Sequence, residues 1–325
     1  MKVYTFITAL LFALSACADN KILQAIDEEK KKAENGSSSG SGSSVPQQNV
    51  TIQFAAKVGT QVFDCSTASY TGVGAGGGAT LVPKDFRFFV HDVRFVKSNG
   101  SEVAVTLTQD SAYQYQNLAL LDFENAAAGT QCAAQGNAGT NTTVRGTIAA
   151  SEALTFTKVR FKLGVPQNLN QNGVGNTNAP LNVTYMFWSW TTGYKHAVVE
   201  FNVNTFNPFF THLGSIDCDT FASPPDIVCD TSNRPAIELN FTYGQTVVAD
   251  AKELYKDTDF SIANTSGTQP GCHSDRNDAE CKAVLNNWGV DFSYTGSSTA
   301  RGLTASSAGS PTVYPTSGQV FFRVE

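Results

Sequence analysis

Charge is scarce in this chain. Only 15% of its 325 residues are Asp, Glu, Lys or Arg, and the formal balance is −6 at neutral pH. A nucleic-acid binder normally presents a basic face, so that class is excluded. Histidine is scarcer still, with four residues: His91, His196, His212 and His273. Methionine occurs twice and tryptophan three times. No apolar run reaches the ~20 residues that a bilayer-spanning helix needs. The HExxH zinc helix and the Walker phosphate loop are missing, and the strand-rich part has no GxSxG elbow. The glycine-rich stretch from Gly72 to Gly78 lacks the lysine of a phosphate loop and is taken as a turn. No CxxC pair is present, which argues against a thiolate metal site. These absences leave a protein that binds rather than catalyses, and the chain is expected not to be an enzyme.

The N-terminus points out of the cytoplasm. Lys2 precedes a mostly apolar run, Val3 to Leu14, with the length and flanks of a signal-peptide core. The run ends in Leu14-Ser15-Ala16-Cys17, small residues before a cysteine. That pattern resembles the lipobox of bacterial lipoproteins, so Cys17 is expected to be acylated. Several acyl chains make a stable membrane anchor. Ala18, rather than Asp, follows and suits delivery to the outer membrane. The expected address is the periplasm or cell surface, lipid-anchored. Lys21 to Glu34 is charged and mixed in sign. Asn35 to Asn49 is almost entirely Gly, Ser, Pro, Gln and Asn, too polar to bury a core. The expected division is a signal peptide at 1–16, a lipidated tether at 17–49 and a folded domain at 50–325.

The folded part is rich in Phe (22) and Gly (27), which suits strands and turns. Strands are predicted at Val50–Val58, Asp85–Val96, Glu102–Thr108, Thr155–Leu163, Val183–Trp190, His196–Val203 and Ile237–Tyr243. Alternation in Asp85–Val96 places Phe86, Phe88, Val90, Asp92 and Arg94 on one face. Phe89, His91, Val93 and Phe95 fall on the other. Asn99-Gly100 and Thr192-Gly193 supply turns. Short helices are expected at Val248–Tyr255 and Asp278–Asn287. The fold class is all-β, an antiparallel β-sandwich with long disulfide-pinned loops and one or two short helices. Outside the cytoplasm, six cysteines beyond Cys17 mean disulfides, with fifteen possible pairings. Cys218–Cys229 and Cys272–Cys281 would close short loops, leaving Cys65–Cys132 as the long bridge.

Four histidines and a tryptophan pair carry what chemistry there is. Imidazoles suit copper or zinc if they gather. His91 sits mid-strand among apolar neighbours, where a core histidine bonded to a carbonyl is the plain alternative. His196 opens a strand. His212 lies in Phe209-Phe210-Thr211-His212-Leu213-Gly214-Ser215. His273 lies inside the Cys272–Cys281 loop and is expected to be exposed. In Met186-Phe187-Trp188-Ser189-Trp190 both indoles share a strand face with Met186. Two adjacent indoles pack in a core or form a platform for sugars. The acidic loops with Asp217, Asp219, Asp226 and Asp230, and with Asp275 and Asp278, lack the EF-hand spacing for calcium.

Several segments, in order, resemble the MbnP-like family, the periplasmic partners encoded with methanobactin operons and also called metallo-mystery-pair four-Cys-motif proteins. They are Asp85-Phe86-Arg87-Phe88-Phe89-Val90, Ala119-Leu120-Leu121-Asp122-Phe123-Glu124 and Phe161-Lys162-Leu163-Gly164-Val165-Pro166. Pro180-Leu181-Asn182, Met186 to Trp190 and Gly193-Tyr194-Lys195 follow. His212-Leu213-Gly214-Ser215 and Gly271-Cys272, with Asp278 and Cys281, complete the set. The resemblance implies a β-sandwich, copper binding and a dihaem cytochrome c peroxidase or MauG-like partner that oxidises a tryptophan to kynurenine. Trp188 and Trp190 are the residues implied for modification, with Trp288 behind them. His91, His212 and His196 are the implied copper ligands. The chain departs from the family where relatives read LNH, GYKF and GCMS; in their place stand Gln171, His196 and His273. Two other readings remain: a surface adhesion module without metal, and a plain structural lipoprotein.

Overall fold

The computed structural model describes residues 45–132, 139–171, 178–189, 192–204, 206–219, 222, 227–261, 269–275, 278, 280–290 and 318–325. The signal segment, Cys17, most of the tether and Trp190 lie outside the described residues.

The first strand shows why the chain forms a sandwich. In β1 (Gln47–Val58), Val50, Ile52, Phe54, Ala56 and Val58 are buried, and the residues between them are more exposed. This period of two makes a half-buried strand. It begins at Gln47, three residues before the expected domain start. Eleven further strands frame the site. They are β2 (Ala79–Lys97), β3 (Leu118–Asp122), β4 (Thr143–Ala149), β5 (Phe156–Leu163), β6 (Phe187–Ser189) and β7 (Gly193–Val203). Then come β8 (Phe206–Gly214), β9 (Ala236–Asn240), β10 (Thr246–Asp250), β11 (Gly271–Cys272) and β12 (Phe322–Val324). The helices are short: α1 (Gln167–Asn170), α2 (Ala251–Tyr255) and α3 (Cys281–Trp288).

Among the described residues the strands form two main sheets. The first runs β12-β10-β1-β4 and ends on the short strand Thr106–Leu107. The second runs β9-β5-β2-β7-β8-β11, with β3 also paired to β2 and β6 to β7. Most pairs are antiparallel, but β1 lies parallel to β10 and β8 parallel to β11. Between the sheets is an aromatic core. Phe54 meets Phe88 and Phe161 edge-on, at ring-centroid distances of 6.2 and 5.7 Å. Edge-to-face rings are favoured beyond their buried area.

The second sheet is covered on both faces. Its inner face gives Phe86, Phe88, Val90, Ala197, Val199 and Phe201 to the core. The outer face gives Phe89, Leu118, Leu120, Val198 and Tyr194 to a second cluster, closed by Val165, Leu169, Leu181 and Met186. Strands buried on both sides therefore carry polar groups that no water reaches, and the candidate site is built from these.

Two sequence expectations need correction. The alternation in β2 breaks at Asp92, whose φ is 54°, with a register shift against β5. This bulge turns Val93 and Phe95 into the main core with Phe88, not onto the His91 face. The predicted helix Val248–Tyr255 is half strand. Val248, on β10, pairs with Ala55 of β1, and the helix starts only at Ala251, where the Asp250 side chain accepts from Lys252 N at 2.8 Å. Pairing with β1 overrides local helix preference, and Asp250 then supplies the cap.

Three disulfides, Cys65–Cys132, Cys218–Cys229 and Cys272–Cys281, staple the loops. The last ties β11 to α3. Among the described residues no helix is long and apolar enough to cross a membrane. Tyr255, fully buried, donates to Val199 O at 2.8 Å and lies 2.9 Å from Thr211 Oγ1. Tyr255→Phe would orphan both partners at a cost of about 1–3 kcal/mol. The urea midpoint should fall with an unchanged slope.

Candidate metal centre

The outward positions of four neighbouring strands converge. Cross-strand partners include Asp85 with Glu200, Arg87 with Val198, Arg87 with Asp122, and Val198 with His212. Asp85, Arg87, Glu200 and His212 are all at most 4% exposed. Burying charges is costly unless they pair, and here they do. Arg87 Nε donates to Asp85 Oδ1 at 2.8 Å, and Nη2 contacts Asp85 Oδ2. Glu124 lies 3.5 Å from the same guanidinium, and neither of its oxygens receives a hydrogen bond. Burial pushes Asp85 up to about 6, Asp122 to about 7 and Glu124 to about 8, while Arg87 pulls each back down.

Glu200 joins this network to a histidine. Its Oε1 accepts from Tyr185 OH at 2.7 Å and lies 2.5 Å from His212 Nε2. Burial raises the Tyr185 phenol, so it keeps its proton and donates. The Lys195 ammonium sits 3.9 Å above the Tyr185 ring, a cation–π contact inside the fold.

His273 lies against His212, with ring centroids 4.8 Å apart and planes nearly perpendicular. Trp188 contacts both, at 6.0 Å from His212 and 6.2 Å from His273. Phe210 closes the other side, at 5.5 and 5.3 Å. His212 Nδ1 and His273 Nε2 are buried and have no hydrogen-bond partner. Burial drives His212 well below its usual range and His273 to about 4, so both rings are neutral at pH 7 with lone pairs available.

Local structure explains the gathering. The Cys272–Cys281 disulfide fixes the loop after β11. Ser274 Oγ then donates to His212 O at 2.8 Å and accepts from Gly214 N at 2.9 Å, latching that loop onto β8. Gly214 is needed because a Cβ there would stand 2.7 Å from the Trp188 ring. His273, expected to be exposed, is half-buried, because this latch pulls it under Trp188 and Phe210.

The three implied ligands His91, His196 and His212 do not form one group. His91 Nδ1 lies 2.7 Å from Gly164 O, and burial with the nearby Arg234 cation pushes it to about 3. His196 Nδ1 accepts from Val165 N at 3.2 Å, and its Nε2 lies 3.1 Å from Ser232 O. A Cβ on Gly164 would strike the His196 ring at 2.6 Å, so the ring packs tightly on the backbone. Backbone groups thus hold both rings around the Gly164-Val165 turn. Among the described residues no three His, Cys, Asp or Glu side chains are arranged to hold a metal ion. The implied donor set therefore needs revision, and His212 and His273 are the pair with open nitrogens. Trp188 is half-buried beside them, Trp190 lies outside the described residues, and Trp288 is fully buried in the main core against Phe321. Met186 is not on a strand face with Trp188. It lies in a 3-10 turn, Thr184–Met186, buried in the second cluster.

A family profile and a solved structure match this chain. The profile of the MbnP family matches residues 47–274. Among curated proteins, none matches the chain. MbnP from Methylosinus trichosporium is similar in structure, with a TM-score of 0.66 at 23% identity, covering 86% of this chain and 99% of that one. That likeness speaks to the fold, and the family profile spans well over half of the 325 residues. The chain belongs to the MbnP family.

Proposed function

We propose that this protein is an extracytoplasmic lipoprotein, held through Cys17 at the outer membrane, that binds copper at His212 and His273. In this reading it is the substrate and partner of a MauG-like dihaem enzyme, which oxidises Trp188 to kynurenine. The protein itself turns over nothing.

The observation that carries the reading is the pair of buried, unpaired imidazole nitrogens beside Trp188. A lone pair buried without a partner is costly. Neutral imidazole is a good copper ligand, so the donor chemistry fits. Two nitrogens are few for a tight site. A kynurenine at position 188 would add an amine and a carbonyl, and would bring the donor count to three or more. Bound copper would supply a compact, redox-active positive charge next to the Glu200 carboxyl group behind His212. His212 and His273 would hold it, Phe210 and Trp188 would exclude water, and the Cys272–Cys281 staple would keep the rings in place.

The test is a copper titration of the full chain against a chelator of known affinity. His212→Ala and His273→Ala should each weaken binding at least tenfold, about 1.4 kcal/mol or more. His91→Ala and His196→Ala, if folded, should leave it unchanged. Wild-type affinity in both His212→Ala and His273→Ala would refute the site.

A further inference from the structure

The metal reading leaves one group without a role: the carboxylate of Glu200, buried at the end of an aromatic and cationic cage. We infer that Glu200 is a positioning residue that fixes His212 in the Nε2–H tautomer and so presents Nδ1 as its only donor nitrogen. The inference rests on the copper reading for its consequence, but not for its geometry.

The geometry comes from counting protons on one oxygen. Glu200 Oε1 has two neighbours, Tyr185 OH at 2.7 Å and His212 Nε2 at 2.5 Å. The phenol brings its own hydrogen and donates. A carboxylate oxygen has two lone pairs and can accept a second bond. The close approach of Nε2 is then satisfied by a ring N–H pointing at the same oxygen. A neutral imidazole has one N–H, so the other nitrogen, Nδ1, carries the lone pair. That nitrogen is the one left without a hydrogen-bond partner, beside the His273 ring. The opposite tautomer would leave an N–H donor buried at Nδ1 with nothing to receive it, at a cost of the kind that proteins avoid.

The cage keeps the carboxylate in place. Glu200 is fully buried on β7, opposite Asp85 in the strand register. Tyr185 holds it from the 184–186 turn, with the Lys195 ammonium and the Arg87 guanidinium 3.9 and 5.3 Å from the Tyr185 ring centroid. Glu200 cannot swing to solvent, because its whole surroundings are packed. A carboxylate behind a ligating histidine fixes ring orientation and raises ligand basicity, and losing it typically costs 10–100-fold in metal affinity.

The test has two readouts. Nitrogen-15 NMR on the metal-free full chain reports the His212 tautomer directly. The expected result is protonated Nε2 and unprotonated Nδ1 in the wild type. Glu200→Gln keeps a carbonyl oxygen that can accept, so it should retain that tautomer. Glu200→Ala should give a mixture, with near-wild-type circular dichroism certifying the fold. A copper titration should then show a 10–100-fold loss for Glu200→Ala and a smaller loss for Glu200→Gln. A proton on His212 Nδ1 in the wild type overturns the inference whatever copper does. The expected tautomer together with no copper affinity in the wild type overturns the copper reading, and with it the ligand role of Nδ1. If Glu200→Ala folds and keeps both the tautomer and the affinity, Glu200 positions nothing.

Discussion

Arg87→Met should lower stability by about 3–5 kcal/mol at pH 8, measured by urea unfolding. The guanidinium is 1% exposed and is the cation between Asp85, Asp122 and Glu124. Removing one partner of a buried ion pair leaves its counter-charge stranded, and that penalty outweighs the net worth of the pair. Methionine fills the stem volume, so packing loss is a minor part.

The cost should shrink as pH falls, and the sign follows from the carboxyl groups. Asp85, Asp122 and Glu124 have folded-state values of about 6, 7 and 8, above the ordinary 3.8 for Asp and 4.5 for Glu. A carboxyl raised on folding binds its proton more tightly in the native state. Its contribution to stability is present below the unfolded value and is lost as pH rises through the folded one. The wild type should therefore lose stability on this account between about pH 4 and pH 8. The histidines pull the other way: His91 and His273, at about 3 and 4, stabilise above 6.5 and cease to as pH falls. Comparing Arg87→Met with the wild type cancels the histidines, which the two share. Without Arg87 the carboxyls rise further, so the gap between the proteins should be widest at pH 8 and narrow toward pH 5. A gap independent of pH would mean that Arg87 acts through packing alone.

Some of this site is legible from sequence and some is not, for identifiable reasons. Alternation correctly places His91 opposite Phe86, Phe88 and Val90, because a strand's period is two wherever the backbone is regular. It fails beyond Asp92, where a bulge inserts a residue without changing the pattern of apolar types. β8 escapes sequence reasoning because Asn207-Pro208 looks like a loop, and proline seldom enters a sheet interior. Without β8 there is no strand to carry His212 toward His273. The pairing of these two depends on a parallel contact, Phe210 with Gly271, between segments far apart in sequence. A histidine next to a disulfide cysteine is the available signal, and by itself it reads as surface. The charged network is hidden for another reason. Asp85, Arg87 and Glu200 lie on predicted strands and look solvent-facing, while Asp122 and Glu124 fall on no predicted strand, and only the second cluster covering the outer face turns the network inward.

On the proposed reading, protein purified from its own organism should carry a kynurenine mass that Trp188→Phe abolishes and Trp288→Phe leaves. Position in the fold separates the two indoles. Trp288 is fully buried in the main core, on α3 against Phe321. Oxygen insertion there would force polar atoms into packed aromatic rings, at a cost of several kcal/mol. Trp188 is half-buried on β6, which pairs with the start of β7, and rests on Gly214, where the missing Cβ leaves space for its ring. Opening its pyrrole ring would turn an apolar contact into an amine and a carbonyl beside two open imidazole nitrogens. Phenylalanine fills most of the same space, so the fold should survive with a loss of about 0.5–3 kcal/mol. Copper affinity should fall together with the modification, since a donor disappears with it. Kynurenine found on the Trp288 peptide with Trp188 intact would refute the assignment. If copper affinity is unchanged in Trp188→Phe, the two histidines bind the metal without help from position 188.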